Sequence, residues 1–165
     1  MWEGRSALMI ESLDLSLPHL KATRDLADAV APLLQPGDVL TLEGSIGVGK
    51  TTFVRSLLKA LGCSEEVPSP TFNLALTYEV NCLTIWHFDL FRIEHLSDVY
   101  ELGVEDALEN GVCLIEWPKI MTSLLPTEHL EMKFFYQEEY SRRVSLRGSG
   151  VWRQRLRAVE SYLDE

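Results

Sequence analysis

One segment of the chain has the residue spacing that binds nucleotide phosphates. Gly44, Gly49, Lys50 and Thr51 fill the fixed positions of the pattern Gly-x-x-x-x-Gly-Lys-Thr. Glycines let such a loop (the P-loop, residues 44–51) turn its N–H groups towards one phosphate, while the lysine contacts the β- and γ-phosphates and the threonine binds Mg²⁺. The residues expected to bind nucleotide are Gly44, Ser45, Ile46, Gly47, Val48, Gly49, Lys50, Thr51 and Thr52.

The base of that nucleotide follows by elimination. GTPases read guanine with Asn-Lys-x-Asp, but Asn73, Asn81 and Asn110 are followed by Leu, Cys and Gly. No aspartate stands three residues before a glycine, so the Asp-x-x-Gly switch of GTPases is also missing. The expected ligands are therefore ATP and Mg²⁺.

Two carboxylates end apolar runs that are typical of neighbouring strands. Asp89 ends residues 83–89, and Glu116 ends residues 112–116. We expect Asp89 to orient the metal with Thr51, and Glu116 to polarise an attacking water. The predicted catalytic residues are thus Lys50, Asp89 and Glu116, although a strand-end cap and a salt bridge remain alternatives for the two acids.

Three further residues are candidates for the same site. Thr71, within Ser-Pro-Thr-Phe, is expected to reach Mg²⁺ or the γ-phosphate as part of a switch segment, unless the segment is an ordinary proline turn. Trp117 is expected to be half exposed and to stack on a base or a partner, or else to pack internally. His87 shares a strand face with Asp89. No third ligand is spaced nearby, so a core or supporting histidine is favoured over a transition-metal ligand.

The pattern of apolar residues places these side chains on alternating helices and strands. Strand followed by loop and helix around residues 39–61 is the context that a P-loop needs. The expected fold is α/β, a single P-loop NTPase domain over residues 1–165, with three α/β/α layers and a mixed sheet that contains an antiparallel hairpin. The expected helices are 23–34, 50–61, 97–108 with a break at Gly103, and 152–163; the expected strands are 39–42, 74–80, 83–91, 112–115, 130–136 and 142–147.

Composition narrows the range of partners. The formal net charge of −10 makes the chain a poor candidate for gripping RNA by itself, so tRNA would be met only indirectly. Seven acids and no Lys or Arg occupy residues 93–116, as expected of a solvated helical face or of a docking surface for a basic partner. No apolar run reaches membrane-spanning length, and the three cysteines show no paired spacing. A cytoplasmic protein with no membrane contact is expected.

Four motifs together resemble one family. Gly-x-x-x-x-Gly-Lys-Thr-Thr-Phe, Ser-Pro-Thr-Phe, His-Phe-Asp-Leu-Phe-Arg and Ile-Glu-Trp-Pro occur in this order between residues 44 and 118. This set resembles the bacterial TsaE family, also called YjeE. The resemblance implies a small ATPase needed to make threonylcarbamoyladenosine in tRNA, which acts on the TsaD–TsaB pair and resets it between turnovers.

The resemblance also implies roles for individual residues. Lys50 and Thr51 would hold phosphate and Mg²⁺, Thr71 would belong to a switch, and Asp89 would serve the metal. Glu116 and Trp117 would lie at the nucleotide or partner face. The chain departs from the family at two positions: Ser45 replaces the usual Asp of the P-loop, and Phe91 replaces the usual Tyr.

Two other functions fit a P-loop protein of this size. One is a small-molecule or nucleotide kinase, in which Arg92, Arg142 and Arg143 clamp a second substrate, although no arginine-rich lid follows the central strands. The other is a non-catalytic module, in which ATP only orders residues 69–72 for docking.

Overall fold

The computed structural model describes residues 10–70 and 72–165, so the prediction for Thr71 lies outside the described residues. Within them, the chain forms a single seven-stranded sheet with helices on both faces. The strands are β1 (Ile10–Leu17), β2 (Val39–Glu43), β3 (Ala75–Val80), β4 (Leu83–Asp89), β5 (Val112–Glu116), β6 (Leu130–Glu138) and β7 (Ser141–Ser149). The helices are α1 (Leu20–Val30), α2 (Lys50–Ala60), α3 (Leu96–Glu101), α4 (Val104–Asn110) and α5 (Val151–Leu163), with 3-10 turns at Ala31–Leu33 and Pro118–Leu124.

The sheet has a parallel centre and two antiparallel edges. Its strand order is β1-β7-β6-β2-β5-β4-β3, and β6, β2, β5 and β4 run parallel. The predicted hairpin forms one edge, where β3 pairs with β4. The other edge, in which β1 and β6 flank β7, was not predicted. The parallel centre brings the carboxyl ends of β2, β4 and β5 together, and open α/β sheets bind ligands at such ends.

Two hydrophobic cores separate the sheet from its two helical layers. The core under α1, α2 and α5 contains Leu42 and Leu114, whereas the core under α3 and α4 contains Val39 and Ile115. Since side chains alternate along a strand, β2 and β5 contribute apolar residues to both cores. The predicted mixed α/β sheet in three layers is therefore confirmed.

The N-terminal part of the fold differs most from the predicted elements. The strand β1 was missed, and the first helix begins at Leu20 instead of residue 23. His19 caps this helix, since its Nδ1 accepts a hydrogen bond from the Ala22 amide at 3.3 Å. The regular helix ends at Val30 because Pro32 permits only a 3-10 turn after it. The helices of residues 10–70 and 72–165 include none with the length and apolar character of a membrane span.

Candidate nucleotide-binding site

The P-loop connects the end of β2 to the start of α2. Gly44 has φ +143°, and a Cβ at this position would lie 2.7 Å from the carbonyl oxygen of Phe134 and 2.8 Å from Cγ1 of Val48. Gly49, with φ +120°, directly precedes the helix at Lys50. Glycine adopts these backbone angles at little cost, whereas other residues do not. The two glycines therefore let the loop turn closely against β6 and enter the helix within a few residues.

Lys50 is held inside the loop by backbone and aromatic groups. Its side chain is almost fully buried, and Nζ donates hydrogen bonds to the carbonyl oxygens of Gly44 and of Ser45, the latter at 3.3 Å. The ammonium also lies 3.8 Å from the centre of the Trp117 ring. Burial lowers the pKa of Lys50, while the negative charges of Glu116 and Asp89 oppose that shift. Lys50 is therefore a cation in a fixed position. A phosphate can replace the carbonyl oxygens that now accept its hydrogen bonds.

Thr51 lies against the carboxylate that ends β5. Its hydroxyl is 3.0 Å from both side-chain oxygens of Glu116, so it can donate to either of them. The same carboxylate is 2.6 Å from Nε2 of His87, which is completely buried on β4. Glu116 is itself only 2 % exposed. Thr51, Glu116 and His87 thus form one continuous chain of hydrogen bonds from the P-loop helix into the core.

Asp89 ends the neighbouring parallel strand, and it pairs in register with Glu116. One of its oxygens, Oδ1, accepts a hydrogen bond from the Phe91 amide at 3.0 Å. The Asp89 side chain is nearly buried, yet it reaches the same pocket as Lys50 and Thr51. The shared register explains why two carboxylates that are distant in sequence meet at one edge of the sheet.

Trp117 turns the chain away from the sheet directly after Glu116. Its backbone is left-handed, with φ 59° and ψ 60°, and its N–H donates to the carbonyl oxygen of Leu42 on β2 at 3.2 Å. The Phe91 ring packs on its indole with 4.8 Å between the ring centres. The indole is half-exposed, as predicted, and one face meets Lys50.

These groups line a pocket of about 330 Å³. The structure brings together four predicted side chains, Lys50, Thr51, Asp89 and Glu116, with Trp117 beside them. A smaller cavity, of about 190 Å³, also borders the P-loop and shares Gly47, Gly49 and Thr52 with the first. The remaining lining residues of the larger pocket are Ile46, Gly47, Gly49, Thr52, Ser69, Phe91 and Arg92.

The sequence did not predict two contacts at the site. The Tyr136 hydroxyl donates to the Ile46 carbonyl oxygen at 3.2 Å, which ties β6 to the P-loop. Tyr136 is ninety residues further along the chain, and no local pattern signals this contact. The bond between His87 and Glu116 also depends on the pairing of β4 with β5, although the shared face of His87 and Asp89 was visible in the sequence.

The fold and the site define an α/β protein with a phosphate-loop pattern at the carboxyl end of its parallel strands. A family model described as "Threonylcarbamoyl adenosine biosynthesis protein TsaE" matches residues 17–144, and the chain belongs to this TsaE family. The motif resemblance is therefore confirmed.

Individual relatives agree with that assignment. The "tRNA threonylcarbamoyladenosine biosynthesis protein TsaE" of Rickettsia bellii is 43% identical over 111 residues, which cover 67% of this chain and 77% of the relative. The protein of the same name from Bacillus subtilis is 40% identical over 67% of this chain and 69% of its own. The crystal structure of B. subtilis YdiB superimposes with a TM-score of 0.76 at 29% identity, covering 95% of this chain and 99% of that one.

Proposed function

We propose that this protein binds and hydrolyses ATP, with Mg²⁺, in the biosynthesis of threonylcarbamoyladenosine in tRNA, where it acts on the TsaD–TsaB pair. The observation that carries the ATP part is the arrangement of Lys50, Thr51 and Glu116 around one pocket at the start of α2. Membership of the TsaE family and the names of the relatives support the pathway.

Lys50 and the backbone of the P-loop would bind the phosphates. The Nζ atom makes hydrogen bonds to two loop carbonyl oxygens, Gly44 and Ser45, and phosphate oxygens are stronger acceptors for an ammonium group. The N-terminus of α2 adds the positive end of its dipole at the same place. Because Lys50 is already buried, little additional water would be removed from its ammonium group when a triphosphate binds.

The oxygen donors beside Lys50 fit Mg²⁺. Magnesium prefers hydroxyl, carboxylate, water and phosphate oxygens, and Thr51 and Glu116 present three protein oxygens within hydrogen-bond distance of one another. When bound, the metal would neutralise charge that develops on the transferred phosphate. The contact with Thr51 favours Glu116 over Asp89 as the carboxylate on the metal side, which reverses the roles expected from the sequence.

Asp89 would then face the terminal phosphate and the water that attacks it. Its Oδ1 already accepts from the Phe91 amide, so the carboxylate has a fixed orientation and a second oxygen for a water. In hydrolysis the water oxygen would form a bond to the γ-phosphorus, the bond from that phosphorus to the ADP oxygen would break with its electron pair staying on ADP, and a proton of the water would pass to the Asp89 carboxylate. Asp89 would orient the water as that proton leaves.

The smaller cavity offers room for the nucleoside. It adjoins Gly49 and Thr52 at the start of α2 and is bordered further out by His19, Leu20 and Arg142. We propose that the triphosphate occupies the larger pocket and that the ribose and base extend past Thr52 into the smaller one.

The test is ATP turnover by the purified protein, alone and with the TsaD–TsaB pair of the same organism. We expect a slow basal rate that rises with the pair and vanishes in Lys50→Ala. Lys59→Ala, which removes an exposed lysine of the same helix, is the matched control and should keep wild-type turnover.

Two results would contradict the ATPase part of the proposal. ATP bound without hydrolysis, even with the pair present, would favour a non-catalytic module. Transfer of the γ-phosphate to a nucleoside or metabolite would favour a kinase. For the pathway part, deletion of the gene should remove threonylcarbamoyladenosine from the tRNA of its host, and tRNA that keeps the modification would refute it.

A further inference from the structure

His87 is a completely buried histidine behind the phosphate pocket. It lies on the face of β4 that also carries Ile85, whose side chain belongs to the core beneath α2. Across the sheet its register partners are Leu76 on β3 and Leu114 on β5. An apolar residue would suit such a position, because a buried imidazole without a hydrogen bond costs free energy. The bond to Glu116 is therefore what makes a histidine tolerable here.

The geometry determines which ring nitrogen carries a proton. Nε2 lies 2.6 Å from Oε2 of Glu116, and a carboxylate oxygen accepts hydrogen bonds, so the imidazole must donate through Nε2. Nδ1 has no hydrogen-bond partner among the described residues. His87 thus directs its one polar contact at Glu116.

The bond from His87 limits where the Glu116 carboxylate can point. Lys50 is the nearby cation that Glu116 would otherwise be expected to pair with, since the Glu116 charge acts on the Lys50 pKa. Within residues 10–70 and 72–165, however, the ion pairs do not include Lys50. Glu116 instead directs both oxygens at Thr51, at 3.0 Å each. His87 and Thr51 together hold the carboxylate, with Oε2 contacted by both of them.

We propose that His87 is a positioning residue: by donating from Nε2 to Glu116, it keeps that carboxylate on Thr51 for the metal and leaves Lys50 free for phosphate. The proposal deepens the proposed function and rests on it. It predicts that loss of the His87 donor impairs the use of Mg²⁺ and the chemical step more than it impairs ATP binding.

The experiment compares two substitutions of similar size. His87→Gln keeps an N–H donor that can reach Glu116, whereas His87→Met fills the space without one. For His87→Met we expect kcat to fall about tenfold and the Mg²⁺ concentration for half-maximal turnover to rise several-fold, with KM for ATP within about twofold. His87→Gln should stay within about threefold of wild type in each quantity.

A double substitution distinguishes positioning from a general loss of packing. If His87 acts through Glu116, then adding His87→Met to Glu116→Gln should lower kcat by less than about twofold, because the carboxylate that His87 positions is already gone. Equal impairment of His87→Gln and His87→Met, wild-type turnover by His87→Met, or a full tenfold further loss in the double variant would each overturn the proposal.

A second measurement keeps His87 in place and so tests the proposal even if His87→Met does not fold. It does not depend on ATP turnover. With ¹⁵N-labelled histidine, we expect one imidazole signal with a slowly exchanging proton on Nε2, which shifts in Glu116→Gln. A His87 ring without that proton, or one that does not respond to Glu116→Gln, refutes the proposal. Failure of the proposed function itself would appear instead as absent ATP hydrolysis by wild-type protein with the TsaD–TsaB pair.

Discussion

The inner wall of the pocket and its outer rim are built on opposite principles. Lys50, Asp89 and Glu116 form the pocket wall and His87 supports it from behind, and none of the four is more than 8 % exposed. The pocket rim contains Ile46 and Phe91, which are 71 % and 51 % exposed, and it is extended by Phe72, which is 84 % exposed and contacts Arg92 of the pocket lining.

This difference in burial and polarity suits the two regions to different roles. Polar groups in the wall are buried and hydrogen-bonded, so their geometry is set before any ligand arrives. Exposure of the apolar rim side chains to water is unfavourable. Groups of exposed apolar side chains are typical of surfaces that bind partners. The wall is therefore suited to chemistry, and the rim to contact with the TsaD–TsaB pair in the proposed function.

Removing the Glu116 carboxylate from the pocket wall should have the largest effect. Glu116→Ala takes away the acceptor of both Thr51 and His87, and we expect kcat to fall at least about 100-fold while ATP affinity stays near normal. Steady-state turnover and equilibrium binding of a fluorescent ATP analogue measure the two quantities. Glu109→Ala, which removes an exposed acid of α4, is the matched control. A loss of binding as large as that of Lys50→Ala, with no separate loss of turnover, would contradict the role given to Glu116.

Removing the wall cation should weaken ATP binding, which Glu116→Ala leaves near normal, in addition to its effect on turnover. Lys50→Ala deletes a charged hydrogen-bonding group, and we expect ATP binding to weaken by about 1.5–3 kcal/mol. Isothermal titration calorimetry measures this loss, with Lys59→Ala as the control that should bind as wild type does. Wild-type affinity in Lys50→Ala would mean that the triphosphate binds elsewhere.

A buried thiol in the core under α3 and α4 gives a prediction about pH. Burial raises the pKa of Cys113 on β5 to about 12, from 9.0. The folded state then holds the thiol proton more tightly than the unfolded state, so this contribution to stability is complete below about pH 9 and is lost as the pH rises towards 12.

Denaturant unfolding at two pH values measures that effect. The difference in free energy of unfolding between wild type and Cys113→Ala should shrink by about 1 kcal/mol from pH 8 to pH 10. The same comparison for Cys82→Ala, at an exposed position in the β3–β4 turn, should show no such change. A difference for Cys113→Ala that is constant with pH would refute the prediction.

Changing the rim should have the smallest effect on the isolated protein. Phe72 makes a cation–π contact with Arg92 at 5.3 Å but is otherwise largely in solvent. We expect Phe72→Ala to change the free energy of unfolding by less than about 0.5 kcal/mol and to leave basal turnover within about twofold. Stimulation by the TsaD–TsaB pair should fall several-fold, which a titration with the pair measures. Unchanged stimulation would show that this part of the rim is not a contact.

The central part of the fold could be read from the sequence because its signals are local. A glycine-rich turn between β2 and α2 is a fixed pattern, and the buried strands β4 and β5 each end at a carboxylate. Each acid could be picked out as a strand-end carboxylate from its own segment. The two lie at one pocket because β4 and β5 are parallel neighbours, and parallel strands end on the same side of a sheet.

Other features depend on contacts between distant segments. The alternation of Leu13, Leu15 and Leu17 with polar residues indicates a strand, but the strand was missed next to a stronger helical pattern. Its place beside β7 follows from strand order, which no local pattern encodes. The bond from His87 to Glu116 and the left-handed backbone of Trp117 also require the assembled sheet, because each depends on how β4, β5 and β2 end beside one another.

The most direct test of the account is a crystal structure of the protein with Mg²⁺ and a non-hydrolysable ATP analogue. We predict that Lys50 Nζ leaves the carbonyl oxygens of Gly44 and Ser45 for the β- and γ-phosphates, and that the metal lies between Thr51 and Glu116 while His87 keeps its bond to Glu116. A triphosphate bound outside the P-loop, or a metal held by Asp89 without Glu116, would contradict the account.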